Sequence, residues 1–297
     1  MIDSTCLQKG RTFTNQKGGL LIELCNLIYF KNGQEDSFEQ IKALGFDRIK
    51  FISDKKTDTQ CLVVNNKHSI VIIWRGSESK RDWQTNFTFN QTMTKKGAVH
   101  KGFYSALGSV FGKVQTYVKS IPNYRAKDLF CTGHSLGGAL SANCGLFFDD
   151  VVPFNSVWMY GCPRWASPKA KETFDKQMKG RSFRVVYNND LVCRIPFRFM
   201  MKKFKGFKYR HVGKLIYITS KDKIMKKSSG FFRLMDRIWG NIKNPIEMFK
   251  QKKNNGYKSK TGWFDAVDDH HPAYTYNAFA KACKEPKRLE IWKEYQK

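Results

Sequence analysis

The residues best placed to do chemistry surround Ser135, in the stretch CTGHSLGGAL at residues 131–140. Gly133 and Gly137 flank the serine two residues away on each side, which is the G-x-S-x-G pattern of a nucleophile elbow. An apolar strand-like run ends just before this pattern, and a helix-like run, ALSANCGLFF, follows it. A sharp turn from strand to helix would raise the serine Oγ above the sheet at a helix N-terminus, where N–H groups stabilise an anion. The pattern therefore predicts that Ser135 is a nucleophile and that the N–H of Leu136 is one oxyanion donor.

A nucleophilic serine needs an imidazole base oriented by a carboxylate, and in α/β-hydrolases the acid and the histidine follow the serine in that order. Downstream of Ser135, Asp190 stands just past the strand-like start of FRVVYNNDLVCRIP. Of the three later histidines, His211 is disfavoured because it directly precedes another strand-like run. His270 and His271 lie in DAVDDHHPAYTY, before the last long helical pattern, where the chain order places the base. The order therefore predicts a triad that is completed by one of these two adjacent histidines.

Strand-like and helix-like segments alternate around these residues. TQCLVVNN and SIVIIWRG form a predicted hairpin, and further strands are predicted in DLFCTG, SVWMYG, SFRVVYNN and KLIYITS. Helical spacing marks SALGSVFGKVQTYVKSI, the run after Ser135, residues 272–281 and RLEIWKEY, and GGLLIELCNLIYF is predicted to be a buried helix. Asp149 and Asp150, which end the elbow helix, are interpreted as solvated charges. The alternation predicts an α/β fold with a mainly parallel central sheet and helices on both faces.

Six ordered motifs resemble those of the fungal-type (class 3) lipases, a family with the α/β-hydrolase fold. They are IIWRGSESKRDWQTNFTF, VHKGFYSAL, TGHSLGGALSA, MYGCPRW, FRVVYNNDLVCRIP and YRHVGKLIYI, and they cover roughly residues 60–220, with a further match around 268–280. By position, the resemblance implies that Ser135 is the nucleophile, Asp190 the orienting acid, and His271 or His270 the base. It also implies an activity without metal or cofactor.

The choice between the two histidines rests on their neighbours. Members of the family often have Asp directly before the base, which favours His270 after Asp269. They also have a tyrosine three or five residues after it, which favours His271 because Tyr274 and Tyr276 follow at that spacing. We give the tyrosine spacing more weight and predict His271. A metal site in DDHH is disfavoured, because adjacent side chains rarely converge on one ion.

The resemblance also implies the remaining parts of the site. Ser77 of RGS would supply the second oxyanion donor through its backbone N–H, although a plain turn residue is the alternative. SKRDWQTNF resembles a short lid helix, expected from about Ser79 to Asn86, in which Trp83 would face lipid or pack into the core.

The expected activity is that of a serine carboxylic-ester hydrolase on lipids such as acylglycerols. Phospholipase A1-type selectivity and small-ester esterase activity are alternatives, as is a lipid- or nucleic-acid-binding protein that keeps the fold. An intact Ser–Asp–His order argues against the binding protein, which does not need it.

A single domain over residues 1–297 is expected, with a basic insertion at about 220–262. No signal-like start or long apolar span is visible and no CxxC pair occurs, which favours reduced thiols and a cytoplasmic or peripheral location.

Positive charge is concentrated in one part of the chain. The net charge is +28, and residues 194–260 hold 20 Lys or Arg against three acidic residues. Within this basic region, FFRLMDRIWGNI has an apolar stripe at helical spacing, which membrane contact and core packing would both produce. An anionic membrane surface is the possible partner, a solvated insertion is the alternative, and nucleic acid is disfavoured.

Overall fold

A central sheet of eight strands runs in the order β1-β2-β3-β6-β7-β8-β9-β10. The computed structural model describes residues 2–8, 10–76, 90–149, 153–196, 208–236 and 270–284. The first three strands pair antiparallel, β3 to β9 pair parallel, and β10 pairs antiparallel with β9. The strands are β1 (Arg48–Asp54), β2 (Thr59–Asn65), β3 (Ser69–Trp74), β6 (Asp128–His134), β7 (Ser156–Tyr160), β8 (Ser182–Tyr187), β9 (Lys214–Ile218) and β10 (Ile224–Met225), and β4 (Gln91–Thr92) and β5 (Val99–His100) form a separate pair.

Helices cover both faces of this sheet. One face packs against α1 (Asn15–Leu27) and α6 (Pro272–Ala282), and the other packs against α3 (Lys101–Ser120), α4 (Leu136–Phe148) and α5 (Pro168–Gln177). A further helix, α2 (Gln34–Ala43), follows α1. Every residue of β3, SIVIIW, is buried, as expected of a strand covered on two sides. The predicted α/β class with a mainly parallel sheet is therefore confirmed.

The packing of α1 against α6 is unusually close, because two adjacent glycines of α1 face the other helix and the N-terminal segment. A Cβ on Gly18 would lie 2.5 Å from Cε1 of Phe279, and one on Gly19 would lie 2.8 Å from Cδ1 of Ile2. Thr14 caps the start of α1 by accepting a hydrogen bond from the N–H of Lys17 at 3.2 Å. Since α6 begins two residues after His270, the packing of α1 fixes the end of the chain segment that carries this histidine.

Most of the predicted elements are present. The hairpin of β2 and β3 and the buried helix α1 are confirmed. The interpretation of Asp149 as a solvated charge is wrong, because it is buried, accepts from the N–H of Phe154 at 2.7 Å and pairs with both terminal nitrogens of Arg181 at 2.8 Å. Strand β1 and α2 were not predicted, and RLEIWKEY and Asp150 lie outside the described residues.

The single domain over residues 1–297 and the extent of its basic insertion stay predictions. All eight cysteines are free, and seven of them are buried. Across the described ranges, no helix is both long and apolar enough to cross a bilayer.

Candidate active site

Ser135 lies at the sharp turn between β6 and α4, with φ 60° and ψ −126°. A positive φ is costly for a residue with a Cβ, and such strain persists only where the surroundings hold it. Here the N–H of Ser135 donates to the carbonyl oxygen of Tyr160 at 2.9 Å, and the N–H of Gly138 donates to the carbonyl oxygen of Ser135 at 3.0 Å. Leu136 is the first residue of α4, so its N–H has no acceptor within the helix. The turn thus raises a partly buried hydroxyl beside a helix N-terminus.

The flanking glycines make this turn sterically possible. A Cβ on Gly133 would lie 2.0 Å from the carbonyl oxygen of Gly137, and a Cβ on Gly137 would lie 2.2 Å from that of Trp74. Both positions therefore exclude any side chain, because β6, β3 and the first turn of α4 meet there backbone to backbone. The G-x-S-x-G spacing is thus explained by packing around the serine.

A buried carboxylate and an imidazole form the second part of the site. His270 Nδ1 lies 3.0 Å from both carboxylate oxygens of Asp190. The carboxylate also accepts from the N–H of Val192 at 2.9 Å and from Sγ of Cys193 at 3.3 Å. Nδ1 is therefore the donor in this pair, and Nε2 carries the lone pair. His270 Nε2 is buried and has no hydrogen-bond partner among the described residues.

The turn after β7 joins the two parts of the site. Tyr160 accepts from the N–H of Ser135, and the next residue, Gly161, lies against the Asp190–His270 pair. Gly161 has φ +57°, and a Cβ there would lie 2.7 Å from Cε1 of His270 and 3.0 Å from Oδ2 of Asp190. Only glycine leaves room for the imidazole at this point, so the motif MYGCP positions the base as well as the elbow.

Of the two candidate histidines, the structure places His270 against the predicted acid, Asp190. His270 contacts Asp190, whereas Nε2 of His271, the predicted base, lies 3.5 Å from Nζ of Lys31 and its ring meets Tyr274 edge-on at 6.4 Å. The physical reason is that the side chains of adjacent residues before a helix point in different directions. In addition, the carbonyl oxygen of His270 is held by a hydrogen bond from His134. The sequence cue for this position was Asp269, which directly precedes His270.

His134, which the sequence reasoning did not single out, holds the backbone of the base. Its Nε2 donates to the carbonyl oxygen of His270 at 2.7 Å, and the two rings lie 4.4 Å apart. Its Nδ1 lies 3.4 Å from the hydroxyl of Tyr29. Burial, and next the neighbouring imidazole of His270, lower the pKa of His134 well below its ordinary value. A neutral His134 therefore adds no positive charge beside the base.

Cys193 is a second residue that the sequence reasoning missed in this role. Burial and the charge of Asp190 raise the pKa of the Cys193 thiol well above its ordinary range, so the thiol keeps its proton and donates to the carboxylate. Its place in DLVCRIP, three residues after the acid, is the signal that was available.

The second oxyanion donor and the lid fall on the part of the chain outside the described residues. Ser77, Trp83 and the predicted helix from about Ser79 to Asn86 all lie there, so these assignments stay predictions. The preceding Gly76 is described, and a Cβ on it would lie 3.3 Å from Cβ of Ser135 and 2.5 Å from the hydroxyl of Tyr29. Gly76 therefore lies directly beside the serine. Within the described ranges, no group of three or more His, Cys, Asp or Glu side chains is placed to hold a metal ion.

The parallel sheet with a strained serine between β6 and α4 defines an α/β-hydrolase fold, and comparison with known proteins agrees. A mono- and diacylglycerol lipase from Aspergillus oryzae has this fold at 23% identity, with a TM-score of 0.59 over 70% of this chain and 81% of that chain. Residues 71–200 match the family model of class 3 lipases. That segment is similar to the class 3 lipases, and the resemblance predicted from the motifs is confirmed.

Two further relatives are similar over part of their length. Secreted mono- and diacylglycerol lipase 1 of Fusarium solani is 34% identical over 137 residues, which are 44% of this chain and 40% of that protein. A triacylglycerol lipase structure, in which a serine protease triad forms the catalytic centre, is 27% identical, with a TM-score of 0.52 over 60% of this chain and 68% of that chain. The chain spans about half the length, or less, of the curated relatives it matches.

Proposed function

We propose that the protein is a serine carboxylic-ester hydrolase that acts on lipid esters, with Ser135 as nucleophile, His270 as base and Asp190 as orienting acid. The observation that carries the proposal is the strained serine at the N-terminus of α4 together with the buried His270–Asp190 pair. A carboxylate that accepts from Nδ1 leaves Nε2 as the proton acceptor, which is the state a general base requires.

In the proposed reaction, Oγ of Ser135 attacks the ester carbonyl while Nε2 of His270 takes its proton. The negative charge on the carbonyl oxygen is stabilised by the N–H of Leu136 and, as predicted, by that of Ser77, and one such donor contributes about 3–4 kcal/mol in other enzymes. The imidazolium then gives its proton to the leaving alcohol, and Asp190 stabilises the positive ring meanwhile. Water, activated by the same imidazole, attacks the acyl-enzyme and releases the fatty acid.

The proposed substrates are acylglycerols. The relatives described above are lipases of mono-, di- or triacylglycerols, and we extend that class of substrate to this chain. Release of fatty acid from emulsified triolein, diolein and monoolein, measured beside phosphatidylcholine and p-nitrophenyl butyrate, tests this assignment. Preference for the phospholipid or for the soluble ester would reject it in favour of a phospholipase or an esterase.

A fluorophosphonate probe tests the hydrolase assignment independently of the substrate, because it reacts with an activated serine. We expect labelling of the full chain and loss of the label in Ser135→Ala. Ser120→Ala, at the exposed end of α3, is the matched control and should label like the original protein. Equal labelling of Ser135→Ala, or no labelling of the original chain, would reject Ser135 as the nucleophile.

The predicted contact of the basic region 194–260 with an anionic membrane surface stays a prediction. Residues 197–207 and 237–260 of this region lie outside the described residues. The described part from 221 to 236 carries a more specific inference, which follows.

A further inference from the structure

The described helical stretch at residues 230–236 carries its apolar side chains on the outside. Phe231 is 73% exposed, Leu234 52% and Phe232 40%. A helix on the surface of a globular protein normally turns its apolar side chains towards the core. The apolar stripe in the sequence was compatible with core packing or with a membrane, and the exposure of these three side chains argues against core packing for them.

Polar side chains hold this stretch to the protein. Asp236 accepts from the hydroxyl of Tyr217 at 2.8 Å, and from the N–H and hydroxyl of Ser220 at 3.2 and 3.0 Å. Arg233 donates from Nη1 to the carbonyl oxygen and hydroxyl of Ser228 at 2.6 and 3.0 Å. At 3.6 residues per turn, Arg233 and Asp236 lie on the side of the helix opposite Phe231. The stretch is therefore fixed by its polar side with its apolar side turned outwards, which is the inverse of a core-packed helix.

The surface around these side chains is positively charged. Lys221, Lys223, Lys226 and Lys227 directly precede the helical stretch, and all four are exposed. The two carboxylates of residues 221–236 are engaged within the protein, since Asp236 is held as described and Asp222 accepts from the hydroxyl of Tyr187 at 2.8 Å. Lys226 Nζ lies 5.1 Å from the centre of the Phe13 ring, and the charges of Lys221, Lys223 and Lys227 remain directed to solvent.

We propose that residues 221–236 dock the protein on the surface of a bilayer that contains anionic phospholipids. Phe231, Phe232 and Leu234 enter the boundary between headgroups and acyl chains, and the lysines pair with the negative headgroups. Bulky apolar side chains fixed outwards beside lysines are the combination that lies in a membrane surface. A nucleic-acid surface would use the lysines and could stack on the two phenylalanines, but it would leave Leu234 without a partner.

The docking surface lies near the acid of the active site. Tyr217, which holds Asp236, is buried in a small cluster with Cys193 and Val186, and Cys193 donates to Asp190. A membrane bound through residues 221–236 would therefore meet the protein near the part of the sheet that carries the acid–base pair. That the docked membrane delivers substrate rests on the proposed function, whereas the docking itself does not.

Vesicle co-sedimentation of the full chain tests the proposal. Vesicles of 70% phosphatidylcholine and 30% phosphatidylserine are compared with vesicles of pure phosphatidylcholine, at low and high salt. Phe231→Ser/Leu234→Ser removes the apolar part, and Met93→Ser, at a residue 81% exposed elsewhere on the surface, is its control. Lys223→Glu/Lys227→Glu removes the charged part, and Lys55→Glu/Lys56→Glu is its control. The control pair lies in the exposed turn between β1 and β2, at the opposite edge of the sheet.

We expect binding to the anionic vesicles that exceeds binding to neutral ones and weakens at high salt, because the Debye length falls from about 10 Å at 0.1 M to about 3 Å at 1 M. Each basic side chain near such a surface contributes about fivefold in binding, so Lys223→Glu/Lys227→Glu should lose at least about tenfold relative to its control. Burial of a large apolar side chain contributes about 1.5–3 kcal/mol, so Phe231→Ser/Leu234→Ser should also lose at least about tenfold relative to its control. Equal binding to both kinds of vesicle, equal losses in variants and controls, or tighter binding to duplex DNA than to anionic vesicles would overturn the proposal.

Hydrolysis of soluble p-nitrophenyl butyrate separates this proposal from the proposed function. The docking variants should hydrolyse the soluble ester like the original chain, since they leave the triad intact. A chain that binds anionic vesicles as expected but hydrolyses no ester would reject the hydrolase assignment and support docking. A chain that hydrolyses the ester but does not bind anionic vesicles would reject the docking proposal and leave the proposed function intact.

Discussion

Replacing His270 and His271 in turn by alanine is expected to give effects that differ by several orders of magnitude, although the two residues are adjacent. His270→Ala removes the imidazole that contacts Asp190, so Ser135 loses its proton acceptor. His271→Ala removes a side chain whose Nε2 lies 3.5 Å from Lys31 Nζ, at the limit of a hydrogen bond.

The magnitude follows from the roles of the two side chains. Loss of a triad member in other serine hydrolases lowers kcat by about 10⁴ to 10⁶, which corresponds to roughly 5–8 kcal/mol of transition-state stabilisation. We expect a loss in this range for His270→Ala and less than about tenfold for His271→Ala, because a weak exposed contact contributes about 1 kcal/mol or less.

The assay is kcat/KM for p-nitrophenyl butyrate below its solubility limit, with near-ultraviolet circular dichroism to confirm folding. His270→Ala leaves the buried carboxylate of Asp190 with one partner fewer, which costs about 1–3 kcal/mol of stability. His270→Asn is therefore measured as well, because its amide nitrogen takes the position of Nδ1 and can still donate to Asp190, but the amide cannot act as a base at neutral pH. A folded His270→Asn that keeps more than a hundredth of the activity, or a larger loss in His271→Ala, would refute the assignment.

Three further outcomes follow from the contacts around the site. Cys193→Val should lower kcat severalfold with KM unchanged. Cys193→Ser should restore kcat, because the serine hydroxyl can again donate to Asp190. Equal activity of the two variants would contradict this positioning role. The pKa of His134 is lower in the folded chain than in the unfolded chain, so the unfolded chain binds this proton more tightly. The stability contributed by the neutral imidazole is therefore present above about pH 6.5 and is lost as the pH falls. The free energy of unfolding should therefore drop more between pH 8 and pH 5.5 in the original chain than in His134→Gln, as measured by urea denaturation, and identical slopes would argue against a neutral buried imidazole. Gly18→Ala should destabilise by about 1–3 kcal/mol despite the better helix propensity of alanine, because its Cβ would lie 2.5 Å from the ring of Phe279, and Phe279→Leu should relieve the loss.

Features determined by residues close in sequence could be predicted. The elbow depends on Gly133, Ser135 and Gly137, whose distant backbone partners among the described residues are only the ends of β3 and β7. The α/β class followed from the alternation of strand and helix patterns, and Asp190 from the order of chemical groups along the chain. These predictions required only periodicity, spacing and chain order.

Features that depend on distant residues could not be predicted. The local cues for His270 and His271 conflict, and the position of His270 depends on His134, which lies 136 positions earlier and holds the carbonyl of His270. Asp149 looked solvated because its partner, Arg181, is 32 positions away. Periodicity likewise identified the apolar stripe that includes Phe231. Periodicity alone, however, does not determine which side of a helix faces the protein.

The parts of the proposed triad are distributed unevenly along the chain. The segment that matches the class 3 lipase family, residues 71–200, contains Ser135 and Asp190 but not His270. The base is supplied by the residues just before α6, and α6 packs on α1 through Gly18 and Phe279. Neither helix belongs to the matched segment. The proposed triad is therefore complete only when α1 and α6 pack together, and we expect α1 to support the proposed base by holding the helix that follows it.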